Sequence, residues 1–275
     1  MRYRSALFTL SIITLPITSD ASDPLQLNPE SPWYALDSEP GWQFELGLGV
    51  EIEPTYAGSD SSESAAGVSA RALFRTQSGH RIYFGLGEIG TIYSISENTQ
   101  FQGFIEYEEG RDRGDDPILD TLDSVESTIE GQFTLARRFG DSSIFATLQP
   151  DLTGDANKGL VWFVGASHDW LMDNDKWRFG TRLDISGADS EYMQTEFGIT
   201  SDESLRSGFR TFQPNSGLKS LTLGLSTEYY LSNRMSILGS MEVESYLGDA
   251  ADSPLILDLG SKTGIEANLL FRWRL

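Results

Sequence analysis

The sequence predicts an all-β fold: an antiparallel transmembrane β-barrel of the outer membrane, with twelve strands favoured and ten as the alternative. Three observations support this prediction. Apolar residues recur at every second position, as at Ile265, Ala267, Leu269, Phe271 and Trp273, and successive side chains of a strand point to opposite faces. No stretch approaches the roughly 20 apolar residues of a membrane helix. Turns and loops alternate between short and long, as in outer-membrane barrels.

Composition bounds the class of protein further. A chain of 275 residues is ordinary for a barrel. Cysteine is absent, so no disulfide framework and no thiol chemistry are expected. The net charge of −21 argues against general binding of nucleic acid, which needs Lys and Arg against phosphate.

The N-terminus predicts export. Arg2 and Arg4 precede the apolar run Ala6–Ile17, and Ser19 and Ala21 fit the −3 and −1 positions of a signal-peptidase site. Residues 1–21 are therefore predicted to be a signal peptide.

Two regions follow the signal peptide. Residues 22–41 are rich in Pro, Ser and Asp and are interpreted as a periplasmic N-terminal arm, with Trp33 and Tyr34 as candidate anchors for a partner. Residues 42–275 are predicted to form the barrel.

Alternation defines the strands of this barrel. Residues Arg81–Ser94 form either one bent strand or two short strands that meet near Gly87 and Glu88, and two short strands would give a total of twelve. The last strand is expected to pair with the first and close the barrel. The other predicted strands are Trp42–Pro54, Ala65–Gln77, Thr99–Glu109, Thr128–Phe139, Ser142–Asp151, Lys158–Leu171, Lys176–Gly187, Leu218–Leu231, Arg234–Leu247 and Lys262–Leu275.

The long loops carry little regular pattern. In the longest, Ala188–Gly217, the run from Thr200 to Glu203 could cap a short helix that ends at Ser207. The loop Gly110–Ser127 contains the charged run Arg111–Asp116, which is interpreted as solvated rather than as a metal site.

Short turns belong in the periplasm and long loops outside the cell, which places the C-terminus in the periplasm. Aromatic residues should then collect at the membrane boundary. The predicted periplasmic girdle consists of Trp42, Trp170, Trp177 and Trp273.

The polar face of the strands should line the lumen. Its charges form either ion pairs that close a narrow interior or a small pore with an acidic vestibule that concentrates cations. The acidic lumen residues, in the outer half, are Glu51, Glu53, Glu106, Glu108, Glu130, Glu242, Glu244 and Glu266. The basic ones are Arg75, Arg138, Arg178, Arg272 and Arg274 near the periplasmic end, with Arg71 and Arg182 deeper.

No catalytic pattern is recognisable. The chain has two histidines, His80 and His168, and neither lies beside the acidic outer loops. No nucleophile elbow, metalloprotease motif or phosphate loop occurs. We expect no enzymatic activity, no cofactor and no metal site.

Several loop motifs resemble one family, the MipA/OmpV proteins, or MltA-interacting outer-membrane proteins. They are Tyr56–Asp60, Phe139-Gly140, Gly110–Pro117, Glu191–Thr200, Ser216–Lys219 and Leu247–Pro254. The resemblance implies a barrel in the outer membrane without enzymatic activity, in contact with lipid and lipopolysaccharide.

The resemblance leaves three functions open. One is a scaffold that links a lytic transglycosylase to a penicillin-binding synthase, with the arm as the contact surface. A second is a small porin-like channel. A third is an adhesin or receptor that acts through Ala188–Gly217 and Gly110–Ser127.

Overall fold

The computed structural model describes residues 40–108, 110–111, 119–153, 158–172 and 176–275. The predicted signal peptide lies outside these ranges. So do nearly all of the predicted arm, with Trp33 and Tyr34, and the whole of the charged run that follows Arg111.

Twelve strands make up the sheet within the described residues. They are β1 (Gly41–Pro54), β2 (Ser62–Arg75), β3 (Arg81–Phe84), β4 (Glu88–Ser96), β5 (Thr99–Glu108), β6 (Thr128–Phe139), β7 (Ser142–Pro150), β8 (Leu160–Leu171), β9 (Trp177–Ala188), β10 (Gly217–Ser232), β11 (Met235–Tyr246) and β12 (Thr263–Arg274). The predicted first loop is shorter than expected, because Ser62 already pairs with Pro54.

Every strand pairs antiparallel with its sequence neighbour, and β1 pairs with β12, so the sheet is a closed barrel. At the closing seam Val50 lies opposite Leu269, and the Leu275 N–H donates to the Phe44 carbonyl at 2.9 Å. Closure pairs the backbone N–H and C=O groups that would remain without hydrogen-bond partners at the edges of an open sheet. The predicted twelve-stranded barrel and its seam are confirmed.

Residues 81–96 form two short strands, as the twelve-strand alternative required. β3 and β4 are joined at residues 85–87, and Gly87 has a φ of +81°, a conformation that favours glycine. β3 pairs with only four residues of β2, from Ala72 to Arg75. This hairpin is therefore much shorter than its neighbours.

One face of the strands is apolar and exposed. Leu48, Leu135 and Leu269 are 64%, 52% and 54% exposed, and similar residues alternate along the other strands. A continuous apolar surface of this kind is too large for a water-soluble monomer and marks a surface that contacts lipid. The barrel therefore faces lipid on the outside.

The two ends of the barrel differ. At one end, which we call the turn end, β2–β3, β4–β5, β6–β7 and β10–β11 are joined by five residues or fewer. At the other, the loop end, longer segments form four short helices: α1 (Ser190–Phe197), α2 (Ser201–Ser207), α3 (Gly248–Ala251) and α4 (Pro254–Leu257). Among the described residues, no helix has the length and apolarity needed to cross a membrane.

Helix α2 was predicted, and the structure confirms it. The Thr200 side chain and Glu203 form a reciprocal capping box, and the helix ends at Gly208, whose φ is +81°. Helix α1 was missed, although Asp189 caps it by accepting a hydrogen bond from the Tyr192 N–H.

The barrel lumen and its cap as a candidate functional site

The helices and loops at the loop end form a folded unit, which we call the cap. Met193 and Phe197 of α1 are fully buried and pack with Ala250 of α3 and Ile256 of α4. A second apolar cluster joins Tyr56, Leu119, Leu122, Ile199 and Leu255, and so connects the β1–β2 and β5–β6 loops. The first cluster continues into the barrel through Phe145 and Phe163, so the cap is packed onto the barrel mouth.

Hydrogen bonds and an ion pair join the segments of the cap to one another. Ser253 Oγ donates to the Phe197 carbonyl at 2.7 Å, and the Asp123 N–H donates to Glu203 Oε1 at 2.9 Å. Arg111 forms an ion pair with Glu196 of α1 at 3.3 Å. These bonds join segments that are far apart in sequence.

All of the predicted lumen charges lie at strand positions whose side chains point away from the lipid-facing side and into the barrel. In β12, for example, Glu266 and Arg272 alternate with the exposed Ile265 and Phe271. The strand register carries this alternation around the barrel, because residues paired across neighbouring strands point to the same side.

The loop half of the lumen combines acidic and basic groups. Lys158, just before β8, lies 3.2 Å from Glu108 and 3.9 Å from Glu130, and Lys219 lies 3.0 Å from Glu244. Burial alone would lower the pKa of Lys158, but Glu108, Glu196 and Glu130 together raise it above its usual value. Lys158 is therefore held as a cation among carboxylates.

The turn half contains buried ion pairs. Arg272 Nη1 lies 3.2 Å from Glu228 Oε1, and both side chains are 2% exposed. Glu228 also accepts hydrogen bonds from Ser236 Oγ at 2.7 Å and Tyr230 OH at 2.8 Å. Arg178 pairs with Asp169 at 2.8 Å. These contacts tie β8 to β9 and β10 to β11 and β12.

Two cavities lie in the lumen on either side of Arg182. The one nearer the loop end has a volume of about 20 Å³ and is lined by Glu242, Glu244 and Glu266. The one nearer the turn end has about 30 Å³ and is lined by Asp169 and Ser240. Arg182 and Glu242 border both, and Arg182 is fixed by Asp184 at 2.7 Å.

The rest of the turn half is filled by side chains. Inward residues on most strands are at most 8% exposed, which is incompatible with a wide, water-filled channel at this level. They include Glu45, Leu73, Tyr83, Ile92, Phe104, Thr134, Phe145, Glu228, Leu238 and Arg272. Arg182 also lies over the Phe145 ring, at 5.3 Å from its centroid. The lumen is narrowed to small cavities.

Several residues of the lumen were missed by the sequence analysis. Glu228, Asp184 and Asp169 occupy inward positions of their strands, so the alternation could have found them. Lys158 precedes β8, and Lys219 lies at a register shift between Leu218 and Ser220 of β10, where the alternation is interrupted. The sequence predicted an acidic loop half and a basic turn half. Because Lys158 and Lys219 lie in the loop half and Glu228 lies in the turn half, this separation of charge is less complete than expected.

The four predicted girdle residues lie at the turn ends of their strands and point to lipid. Trp42, Trp170, Trp177 and Trp273 are between 36% and 54% exposed. Trp42 lies 5.1 Å from Phe74 and Trp177 lies 4.6 Å from Tyr229, measured between ring centroids. Amphipathic rings of this kind favour the membrane–water boundary.

The two histidines lie apart from the lumen charges. His80 stacks on Tyr93, with centroids 4.1 Å apart, in the turn after β2. His168 Nδ1 lies 2.8 Å from Ser142 Oγ on the lipid-facing side of β8. Within the described ranges, no group of three or more His, Cys, Asp or Glu side chains is arranged to hold a metal ion.

A closed barrel with an apolar outer belt and a charged, narrowed lumen defines an integral β-barrel protein of the outer membrane. The chain belongs to the family described as MltA-interacting protein MipA, whose model matches residues 46–275. The resemblance in the loop motifs is thereby confirmed. No curated protein sequence matches the chain.

Solved barrels similar to this chain share little sequence with it. The toluene transporter TodX of Pseudomonas putida is 10% identical, with 92% of this chain and 93% of that chain covered and a TM-score of 0.44. OprB of Pseudomonas putida is 8% identical, with 86% and 94% covered and a TM-score of 0.43. The NanC porin is 8% identical, with 84% and 100% covered and a TM-score of 0.43.

Proposed function

We propose that this protein is a non-enzymatic anchor in the outer membrane for murein-processing enzymes. The observation that carries the proposal is the narrowed lumen under a folded cap, which favours an anchor over a general porin. The family description, an MltA-interacting protein, supplies the partner class: a lytic transglycosylase, together with a penicillin-binding synthase as a second partner.

In this proposal residues 1–21 are removed as a signal peptide and residues 22–41 form the contact surface in the periplasm. The turns at the turn end offer little surface, since the β4–β5, β6–β7 and β10–β11 turns each contain only two residues. The arm is long enough to present Trp33 and Tyr34 to a partner, and large aromatic residues dominate the binding energy of many interfaces.

Deleting residues 22–39 is expected to abolish capture of a purified MltA-type transglycosylase while the barrel remains folded. The paired change Trp33→Ala and Tyr34→Ala should weaken capture by about 30-fold or more, because the loss of even one interface hot spot costs about 2 kcal/mol. Binding is measured by biolayer interferometry on the protein in nanodiscs.

The matched control is Leu205→Ala on α2, a side chain that is 85% exposed on the cap at the opposite end of the barrel. It should leave capture unchanged. Undiminished binding by the arm-deleted protein, with heat-modifiable migration on gels showing an intact barrel, would contradict the anchor proposal.

A small channel is the second candidate, favoured by the two cavities that meet at Arg182 and Glu242. The acidic cavity wall would then favour cations. Conduction requires the Arg182 side chain to leave its present position, because it lies between the two cavities.

A further inference from the structure

Among the described residues, the barrel wall has an opening above the short β3–β4 hairpin. β2 pairs with β3 only from Ala72 to Arg75, and from Ser62 to Ala70 its only strand partner among the described residues is β1. The hairpin top at residues 85–87 forms the lower border of this opening. We call the opening the wall window.

Described residues frame the wall window on its other sides. Across from β2, the Tyr107 N–H of β5 donates to the Gly87 carbonyl at 2.9 Å, so β5 meets the hairpin top there. At the loop end, Tyr56 shares an apolar cluster with Leu119 and Leu122, which joins the two flanking loops. Within the described ranges, which leave out residues 109 and 112–118 of the flanking β5–β6 loop, the window is therefore a bounded opening in the side of the barrel.

The depth of the window places it beside lipid. Val68 of β2 is 49% exposed on the outer face, and Leu86 at the hairpin top is 46% exposed. With the turn end in the periplasm, this level corresponds to the outer leaflet. An open strand edge is costly in hydrocarbon, because no water is present to satisfy its N–H and C=O groups. A molecule with an apolar part and a polar part suits such an edge.

Small side chains connect the window to the lumen. Ala65, Gly67 and Ser69 of β2 point inward and remain partly exposed. Ala65 lies opposite Glu51 of β1, and Glu51 lies opposite Asn268 of β12, whose side chain is exposed inside the barrel. These positions form a partly open track from the window, in contrast to the filled turn half.

The track leads into an acidic region. The carboxylates of the loop half are Glu51, Glu53, Glu106, Glu108, Glu130, Asp184, Glu242, Glu244 and Glu266. The cations among them are Arg71, Lys158, Arg182 and Lys219. The carboxylates outnumber the cations, so the field in this region attracts positive charge.

We propose that the wall window is a lateral binding site for an amphiphilic cation of the outer leaflet, a hydrocarbon chain that bears an ammonium group. The chain lies against Val68 and Leu86 in the window, and the ammonium group enters the track beside Glu51 and Glu53. This site is independent of the anchor role, since it lies at the opposite end of the barrel from the arm.

Photo-crosslinking tests the site. The full protein in phosphatidylcholine nanodiscs is exposed to dodecyltrimethylammonium with a diazirine on the chain carbons next to the head group, and modified residues are mapped by mass spectrometry. Probes with the same chain and a sulfate or maltoside head serve as comparisons. We expect the ammonium probe to label residues 62–71 and the strand around Asn268 about tenfold more than the other two probes do, a preference of about 1.4 kcal/mol.

Gly67→Trp should block the track. The nearest atoms to a Cβ at Gly67 are backbone atoms of Gly49 at 3.5 Å or more, so the first carbon of a side chain fits there, and the indole is directed into the space between window and lumen. The matched control is Gly239→Trp on the lipid face of β11, where the nearest atom to a Cβ is also at an ordinary 3.6 Å.

The expected result is that Gly67→Trp abolishes labelling around Asn268, whereas Gly239→Trp does not. The double change Glu51→Gln and Glu53→Gln should remove the preference for the ammonium head while leaving the maltoside probe unaffected. Equal labelling by all three probes would overturn the proposal, as would labelling confined to lipid-facing residues or unchanged by Gly67→Trp. Capture of the transglycosylase should be the same in every variant.

Discussion

Glu228→Ala is expected to lower the free energy of unfolding by about 3–5 kcal/mol, the usual cost of removing one partner of a buried ion pair. Glu228 and Arg272 are 3.2 Å apart and almost completely buried. The change removes the carboxylate that faces the guanidinium, together with the acceptor for Ser236 and Tyr230. Urea-induced unfolding in lipid vesicles, followed by tryptophan fluorescence, measures the effect.

Two further variants separate charge from packing. Glu228→Gln keeps an acceptor for Ser236 and Tyr230 but removes the negative charge, so an intermediate loss is expected. Glu126→Ala, in an exposed loop, should change stability by less than about 0.5 kcal/mol. If Glu228→Ala behaves like Glu126→Ala, the ion pairs of the turn half do not hold the lumen closed.

Leu269→Arg is expected to destabilise the barrel by about 2–4 kcal/mol, the cost of a cation on the lipid face at the membrane midplane. Leu269 lies near the middle of β12, is 54% exposed and points to lipid. Its neighbour Asn268 points into the lumen, near Glu51 and Glu266. Asn268→Arg should therefore cost much less, although the two positions are adjacent.

The pair is compared in the same vesicle unfolding assay. Equal losses for Leu269→Arg and Asn268→Arg would mean that the apolar face of β12 is not in contact with hydrocarbon. The difference between two adjacent positions isolates the direction of the side chain from the general effect of adding an arginine.

Alternation predicted the strands well because one physical rule governs all of them: one face meets lipid and the other does not. The sequence also offered the split of residues 81–96 into two strands as one of two alternatives. Gly85 and Gly87 lie in the tight connection that separates Arg81–Phe84 from Glu88–Ser96. The pairing of β1 with β12 followed from closure, because a membrane barrel leaves no strand edge unpaired.

The cap could be predicted only in part. The capping box at Thr200 and Glu203 is a local signal, and it was sufficient to find α2. Helix α1 carried a weaker signal, with Asp189 as its cap and Met193 and Phe197 spaced four residues apart. Helices α3 and α4 have four residues each, too few for a periodic pattern. Their helical form depends on the burial of Ala250 in α3 and of Leu255 and Ile256 in α4.

Alternation assigns charges to the polar face of each strand, but it does not indicate which of them meet. The partner of Arg272 is Glu228, two strands away, and the partners of Lys158 are Glu108 and Glu130 on β5 and β6. These contacts depend on the stagger of the strands and on side-chain conformations, neither of which is encoded in local periodicity. The wall window depends in the same way on how far the β3–β4 hairpin reaches along β2.

Planar-bilayer recording of the full protein tests the central claim, that this barrel is a closed anchor and not a channel. Insertion is verified by the heat-modifiable migration of the same reconstituted sample, and an open porin in the same lipid serves as the positive control. Because Arg182, Phe145 and the buried pair of Arg272 and Glu228 narrow the lumen, we predict no steady conductance at moderate voltage. A stable, ohmic conductance in the folded protein would contradict this account.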